Sequence, residues 1–104
     1  MTRYAIKILS GADFDLQQAI EWYEAQREGL GFDFYQKFYG LTQLLADNPF
    51  LFQEYYLFTR RAVLMRFPYH VFYAIDEINL MVEIIAVIHQ KVSPTELRDR
   101  INME

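Results

Sequence analysis

The apolar residues of this chain change their repeat once, at Asn48-Pro49, and that change restricts the fold more than any motif does. Before it, residues suited to burial recur every three or four positions: Leu16, Ala19, Ile20 and Tyr23, then Phe34, Phe38, Leu41 and Leu45, with Leu44 beside them. Each set falls on one stripe of a helix. After it come three runs rich in β-branched and aromatic residues, at 62–67, 70–75 and 80–88. Pro68-Tyr69 and Asp76-Glu77-Ile78-Asn79 part them. Such runs separated by turn residues predict a β-meander. Helices in one half and strands in the other give an α+β fold.

The flanking signals complete the layout. Arg3-Tyr4-Ala5-Ile6-Lys7-Ile8-Leu9 alternates, with Tyr4, Ile6 and Ile8 on one face, as a half-buried strand does. Ser10 with Asp13 three residues on resembles a capping box opening the first helix. Gly29-Leu30-Gly31 ends that helix and permits a tight reversal, so the two helices form an antiparallel hairpin. Proline pushes Asn48 out of helical space and closes the second helix. Residues 80–88 are apolar on both faces apart from Glu83, as expected of a central strand. Ser93 as N-cap and Pro94 at the first helical position start a short last helix holding Leu97, Arg98 and Arg100. The expected architecture is a single domain spanning residues 1–104, in the order β-α-α-β-β-β-α: an N-terminal strand, a helical hairpin packed on a twisted antiparallel sheet, and a short C-terminal helix.

A length of 104 residues suits one domain, and 17% aromatic content excludes disorder as the main state. The absence of cysteine removes disulfides, thiolate zinc sites and cysteine nucleophiles. The N-terminus lacks the features of a signal peptide and no apolar run is long enough to cross a bilayer, so a soluble, cytoplasmic protein without membrane contact is expected. The net charge of -4 and a pI near 5.1 argue against broad binding to nucleic acid. The charges are uneven. The first 54 residues carry eight carboxylates against four Lys or Arg, and the remainder carries six of each.

Motifs for chemistry are sparse. The glycines form no phosphate-binding loop, and neither histidine lies near a nucleophile signature. His70 and His89 stand on different predicted strands without metal-ligand spacing, so neither a metal nor a cofactor is expected. Glu21, Glu24 and Glu28 read as a solvated helix face, Tyr23 as core and Trp22 as a boundary residue. The aromatic run at 50–58, with Phe50, Phe52, Tyr55, Tyr56 and Phe58, has two readings: a loop and edge strand covering the end of the sheet, or an exposed apolar groove for a partner. On a strand beginning at Arg61, the pleat places Arg61, Val63 and Met65 on one face and Ala62, Leu64 and Arg66 on the other. A scissile-phosphate site could use one strand arginine, a histidine and a basic residue after the last strand to orient a 2′-hydroxyl and stabilise charge. The alternative is that the arginines are structural, paired with the acidic helices.

Arg66-Phe67-Pro68-Tyr69-His70-Val71-Phe72-Tyr73-Ala74-Ile75, followed by Ile84-Ile85-Ala86-Val87-Ile88-His89, resembles the RelE/ParE superfamily of bacterial type II toxin–antitoxin toxins. Ala12-Asp13-Phe14-Asp15-Leu16, Asn48-Pro49 and the segment from Ser93-Pro94 through Arg98 and Arg100 extend the likeness over nearly the whole chain. The resemblance implies the fold already read from the pattern. RelE-like members are ribosome-dependent mRNA endonucleases using strand lysines and arginines and a C-terminal tyrosine. Those places fall here near Arg61 and Val63, at His70, near Gln90 or Lys91, and near Leu97. Most of the groups are therefore missing, which favours the ParE-like, plasmid-stabilisation branch, associated with blocking DNA gyrase, over engagement of the ribosome and mRNA. Arg66, His70, His89 and Lys91 remain as a substitute set for a nuclease. A nontoxic binding module with the same fold is the third reading. The resemblance also implies a cognate antitoxin whose tail covers apolar grooves and sheet edges. Phe50, Phe52, Tyr55, Tyr56 and Phe58, with Arg60, Arg61 and Arg98, are the candidates for that contact, beside the outer surface of the hairpin.

Overall fold

The computed structural model describes residues 2–93 and 95–103. Its elements are β1 (Ala5–Ile8), α1 (Ser10–Gln26), α2 (Leu30–Asp47), β2 (Glu54–Tyr56), β3 (Thr59–Val63), β4 (Tyr69–Asp76), β5 (Met81–His89) and α3 (Thr95–Met103). The five strands form one sheet in the order β1-β5-β4-β3-β2. Three of its pairings are antiparallel, but β1 runs parallel to β5, with Ala5 opposite Met81 and Ile8 opposite Ile84. The sheet is thus mixed. A parallel pair needs a long crossover, and the helical hairpin together with the meander supplies it.

The helix boundaries follow the sequence signals with one correction. Ser10 does not cap α1. It is the first helical residue, and Leu9 occupies the cap position without a side-chain bond. Leu9 donates its N–H to Ile84 of β5 and its carbonyl accepts from Asp13, so the chain passes from strand to helix with no residue to spare for a capping loop. Between the helices Gly29 takes the left-handed conformation, at φ 89°, where glycine carries no steric penalty. Glu24 is more than a solvated side chain: its carboxylate accepts the N–H groups of Gly29 at 2.9 Å and Gly31 at 3.0 Å, satisfying free donors at the start of α2. At the start of α3, the Ser93 hydroxyl accepts the Thr95 N–H at 3.3 Å, in keeping with its expected capping role. Pro94, expected at the first helical position, lies outside the described residues.

The hairpin covers one face of the sheet. Leu16, Ala19, Phe34, Phe38, Leu41 and Leu45 pack there against Ala62, Val71, Tyr73, Val82, Ile84 and Val87. Its centre is aromatic, with Phe34 5.0 Å from both Phe67 and Tyr69 and 5.4 Å from Tyr23, ring centre to ring centre. Tyr73 is fully buried and its hydroxyl donates to the Pro49 carbonyl at 2.8 Å, which ties the helix-to-sheet junction to the core. A register shift between Phe72 and Tyr73 sets one extra residue, Ile85, into β5. Past that bulge the pleat parity changes, and Ile85, Ala86 and Ile88 join Phe72, Ala74 and Leu97 in a second, smaller cluster. Leu9, Tyr56 and Ile101 pack against it from its margins.

Candidate functional site

α3 covers the second face, and its attachment defines what stays open there. β1 accompanies β5 only as far as Ile84. Beyond that point the Val87 N–H donates to Asp15 Oδ2 at 2.9 Å, and the Ile85 carbonyl accepts from Arg100 Nη1 at 3.2 Å. Asp15 and Arg100 join each other through two contacts of 2.9 and 3.1 Å, and Glu96 lies 3.9 Å from the same guanidinium. One ion pair therefore does for this stretch of sheet edge what a further strand would do, and it clamps α3 to α1. Leu97, 1% exposed, is the apolar anchor of the helix.

A nine-residue helix cannot close this face. On its β3–β4 side lies a cavity of about 140 Å³ lined by Tyr55, Arg61, His70, Phe72 and Leu97, with His89 at its end. A shallower hollow of about 360 Å³, lined by Tyr55, Tyr56, Thr95 and Arg98, adjoins it. Among the described residues no carboxylate lines either of them. The Arg61 guanidinium sits 4.5 Å from the Tyr55 ring centre, and Tyr55 and His70 lie 5.4 and 6.0 Å from Phe72. Arg61 and Arg98 make no ion pair among the described residues. Burial lowers the His70 pKa below its ordinary value, and the neighbouring Arg61 lowers it further, so the ring is neutral at pH 7. The result is a concave strip of aromatic rings and uncompensated positive charge, suited to an anionic partner with flat or apolar groups. Among the described residues no three His, Cys, Asp or Glu side chains gather to hold a metal ion.

The candidate residues divide between the two sides of the molecule. His70 and His89 border the same cavity, and Arg61 joins them. The His89 ring packs 5.1 Å from Tyr69, and its Nδ1 accepts the backbone N–H of Lys91 at 3.1 Å; the Lys91 side chain is exposed beyond the strand. Arg66 stands apart. β3 ends at Val63, so the alternation expected through residue 66 stops short, and Arg66 at φ 78° pairs instead with Asp33 of α2 at 3.4 Å, on the hairpin side. Arg60 is structural: it donates to the Phe52 carbonyl at 2.7 Å, meets Glu54 at 3.6 Å and lies 5.2 Å from the Phe50 ring. Within the aromatic run Phe50, Tyr55 and Phe58 are exposed, whereas Phe52 and Tyr56 are half-buried against the first and second clusters. The run forms an edge strand, as the first reading expects, and leaves three large rings uncovered.

The clamp residue Asp15 escaped the sequence reading. Its position was the available signal: it falls among Ala12, Leu16 and Ala19 on the buried stripe of α1, where a carboxylate requires a partner.

The family model described as "ParE toxin of type II toxin-antitoxin system, parDE" matches residues 6–94. Among solved structures, the chromosomal ParDE system of P. aeruginosa aligns with a TM-score of 0.73 at 14% identity, covering 86% of this chain and 98% of that one. A doubly substituted E. coli toxin RelE in the free state aligns with a TM-score of 0.72 at 12% identity, covering 97% and 96%. The toxin–antitoxin complex RelBE2 of Mycobacterium tuberculosis gives 0.54 at 21% identity, covering 84% and 98%. No curated protein sequence matches the chain.

Proposed function

This chain belongs to the ParE toxin family of type II toxin–antitoxin systems, and on that premise we propose that it arrests growth in the cytoplasm by binding a cellular protein, DNA gyrase foremost, in a plasmid-stabilisation type of module. The partner that silences it is a cognate antitoxin. The observation that carries this reading is Leu97. At the place where the RelE-like pattern has an acid–base tyrosine, this chain has an apolar side chain wholly committed to anchoring α3. The separation of Arg66 from His70 and His89 supports the same view, because a phosphate-transfer site needs its groups within reach of one scissile bond. The open strip with Tyr55, Tyr56, Arg61 and Arg98, together with Phe50 and Phe58, is the surface for target and antitoxin contact, while Arg60 holds the neighbouring loop through the Phe52 carbonyl.

One observation favours a second reading, a ribosome-dependent mRNA endonuclease: His70, His89 and Arg61 border one cavity. Induced expression separates the two when supercoiling and mRNA integrity are followed in the same cells. Growth arrest with altered supercoiling and intact mRNA is expected. Arrest with cleaved mRNA would instead assign the histidines to a nuclease, and healthy growth would leave a nontoxic binding module.

A further inference from the structure

On the α1 side of α3, the end of β5 keeps an open edge that fits a small ligand and not a strand. β1 leaves β5 at Ile84. Past that point Gln90 donates its N–H to Pro68, just before β4, whereas Val87 donates to Asp15 of α1 on the other side. Strand alternation therefore turns the N–H and carbonyl groups of Val87 and His89 toward the side that β1 has vacated. Two of these four groups are occupied, the Val87 N–H by Asp15 and the His89 carbonyl by the Val92 N–H at 2.9 Å. Between them lie the Val87 carbonyl and the His89 N–H, and neither has a hydrogen-bond partner among the described residues.

One acceptor and one donor, fenced at both ends, are too short a run for a strand to join. They suit a planar group that carries a donor next to an acceptor. The pair opens on a cavity of about 320 Å³ between α1 and α3, large enough for a small organic molecule. Trp22 lines it, 58% exposed and touching Tyr23 edge to face at 5.0 Å, so much of its ring is free to stack. Asp15 and Glu96 also line it, and both already engage the Arg100 guanidinium. Among the described lining residues no uncommitted Lys or Arg remains for a phosphate, which favours an uncharged ligand.

We propose that this cavity binds a neutral purine nucleoside. For adenosine, the 6-amino group donates to the Val87 carbonyl, N1 accepts from the His89 N–H, and the base stacks on Trp22. The site lies across α3 from the cationic strip and is independent of the cellular target proposed above.

Trp22 is the one tryptophan of the chain, so its fluorescence reports on the site directly. Titration of the whole chain with adenosine is expected to quench it saturably, with a Kd of about 0.1–1 mM. In ¹H–¹⁵N spectra the His89 amide proton should move downfield with the same dependence on concentration. N6,N6-dimethyladenosine has lost the donor and should bind at least about tenfold more weakly. Adenosine monophosphate should bind no more tightly than adenosine. Trp22→Ala, followed through the His89 amide, should weaken binding about tenfold. Should that variant melt early, the two modified ligands decide on the wild-type chain alone. Absence of quenching and of the His89 shift at about 10 mM adenosine overturns the assignment. Equal affinity for the dimethylated nucleoside overturns the edge contact on which it stands, and tighter binding of the monophosphate overturns the uncharged ligand.

Discussion

On the hairpin side of the sheet, helices of 17 and 18 residues bury a continuous core around Phe34, Phe38 and Tyr73; on the opposite side a helix of nine residues rests on the sheet through Leu97, Ile101 and the Arg100–Asp15 pair. The first face is closed by apolar area, and area is what supplies stability. The second is held by Leu97 and Ile101 at a small cluster and by one ion pair, and the ground that α3 leaves uncovered is aromatic and cationic. The contrast teaches where each property resides. Substitutions on the hairpin face should act on folding, and substitutions beside α3 should act on partners.

The largest effect expected from that division is at Phe34, which has no exposed surface and touches three other rings. Phe34→Ala should cost about 4 kcal/mol in urea unfolding, enough to leave the domain marginal. A loss well under half of that would mean the hairpin core is not the main source of stability, and the comparison would fail at its base.

Asp15→Ala should come next, at about 2–3 kcal/mol, because it removes both carboxylate contacts of the Arg100 guanidinium and the acceptor of the Val87 N–H together. Amide exchange makes the prediction sharper. Protection in α3 should fall first and most, with α1 and α2 keeping theirs. Uniform loss over the molecule would show that the two faces unfold as one unit rather than as a closed core with a clamped cover.

The double variant Arg61→Glu/Arg98→Glu should barely move the unfolding midpoint, by about 0.5 kcal/mol or less for each exposed site. Both side chains are exposed and lack ion pairs among the described residues. Its effect should appear instead as lost growth arrest on induction. Stable protein with full arrest would remove the strip from the mechanism.

How legible this was in the sequence depended on whether the signal was local. The period change at Asn48-Pro49 marks the boundary between hairpin and meander, since repeat length is set by neighbours three and four residues away. The family resemblance read from the strand motifs agrees with the matched ParE family model. The parallel pairing of β1 with β5 was not legible, because the alternation in residues 3–9 states which face is buried and nothing about the direction of a partner some 75 residues on. The Asp15–Arg100 clamp was hidden for the same reason, at a separation of 85 residues. Arg66 was misplaced by a short-range effect: the pleat was extended through residue 66, whereas the chain leaves the strand after Val63 and turns through a left-handed conformation at Arg66.

The smallest expected effect concerns the degree to which the α3 face is shielded from water. Burial, and then the charge on Arg61, hold the folded His70 pKa below its ordinary value of 6.5. The unfolded chain therefore binds more proton at this site than the folded one as pH falls through about 6.5. The stability that His70 contributes is complete above that pH. It is lost progressively below it, until the folded ring titrates as well. His70→Gln should flatten the fall in stability between neutral and mildly acidic pH. Arg61→Gln should flatten it less, because burial is the larger of the two causes. Identical slopes for wild type and His70→Gln would mean that the ring beside Phe72 is as well hydrated as a surface histidine. The cover provided by α3 would then be looser than its Leu97 anchor implies, and the difference between the two faces greater still.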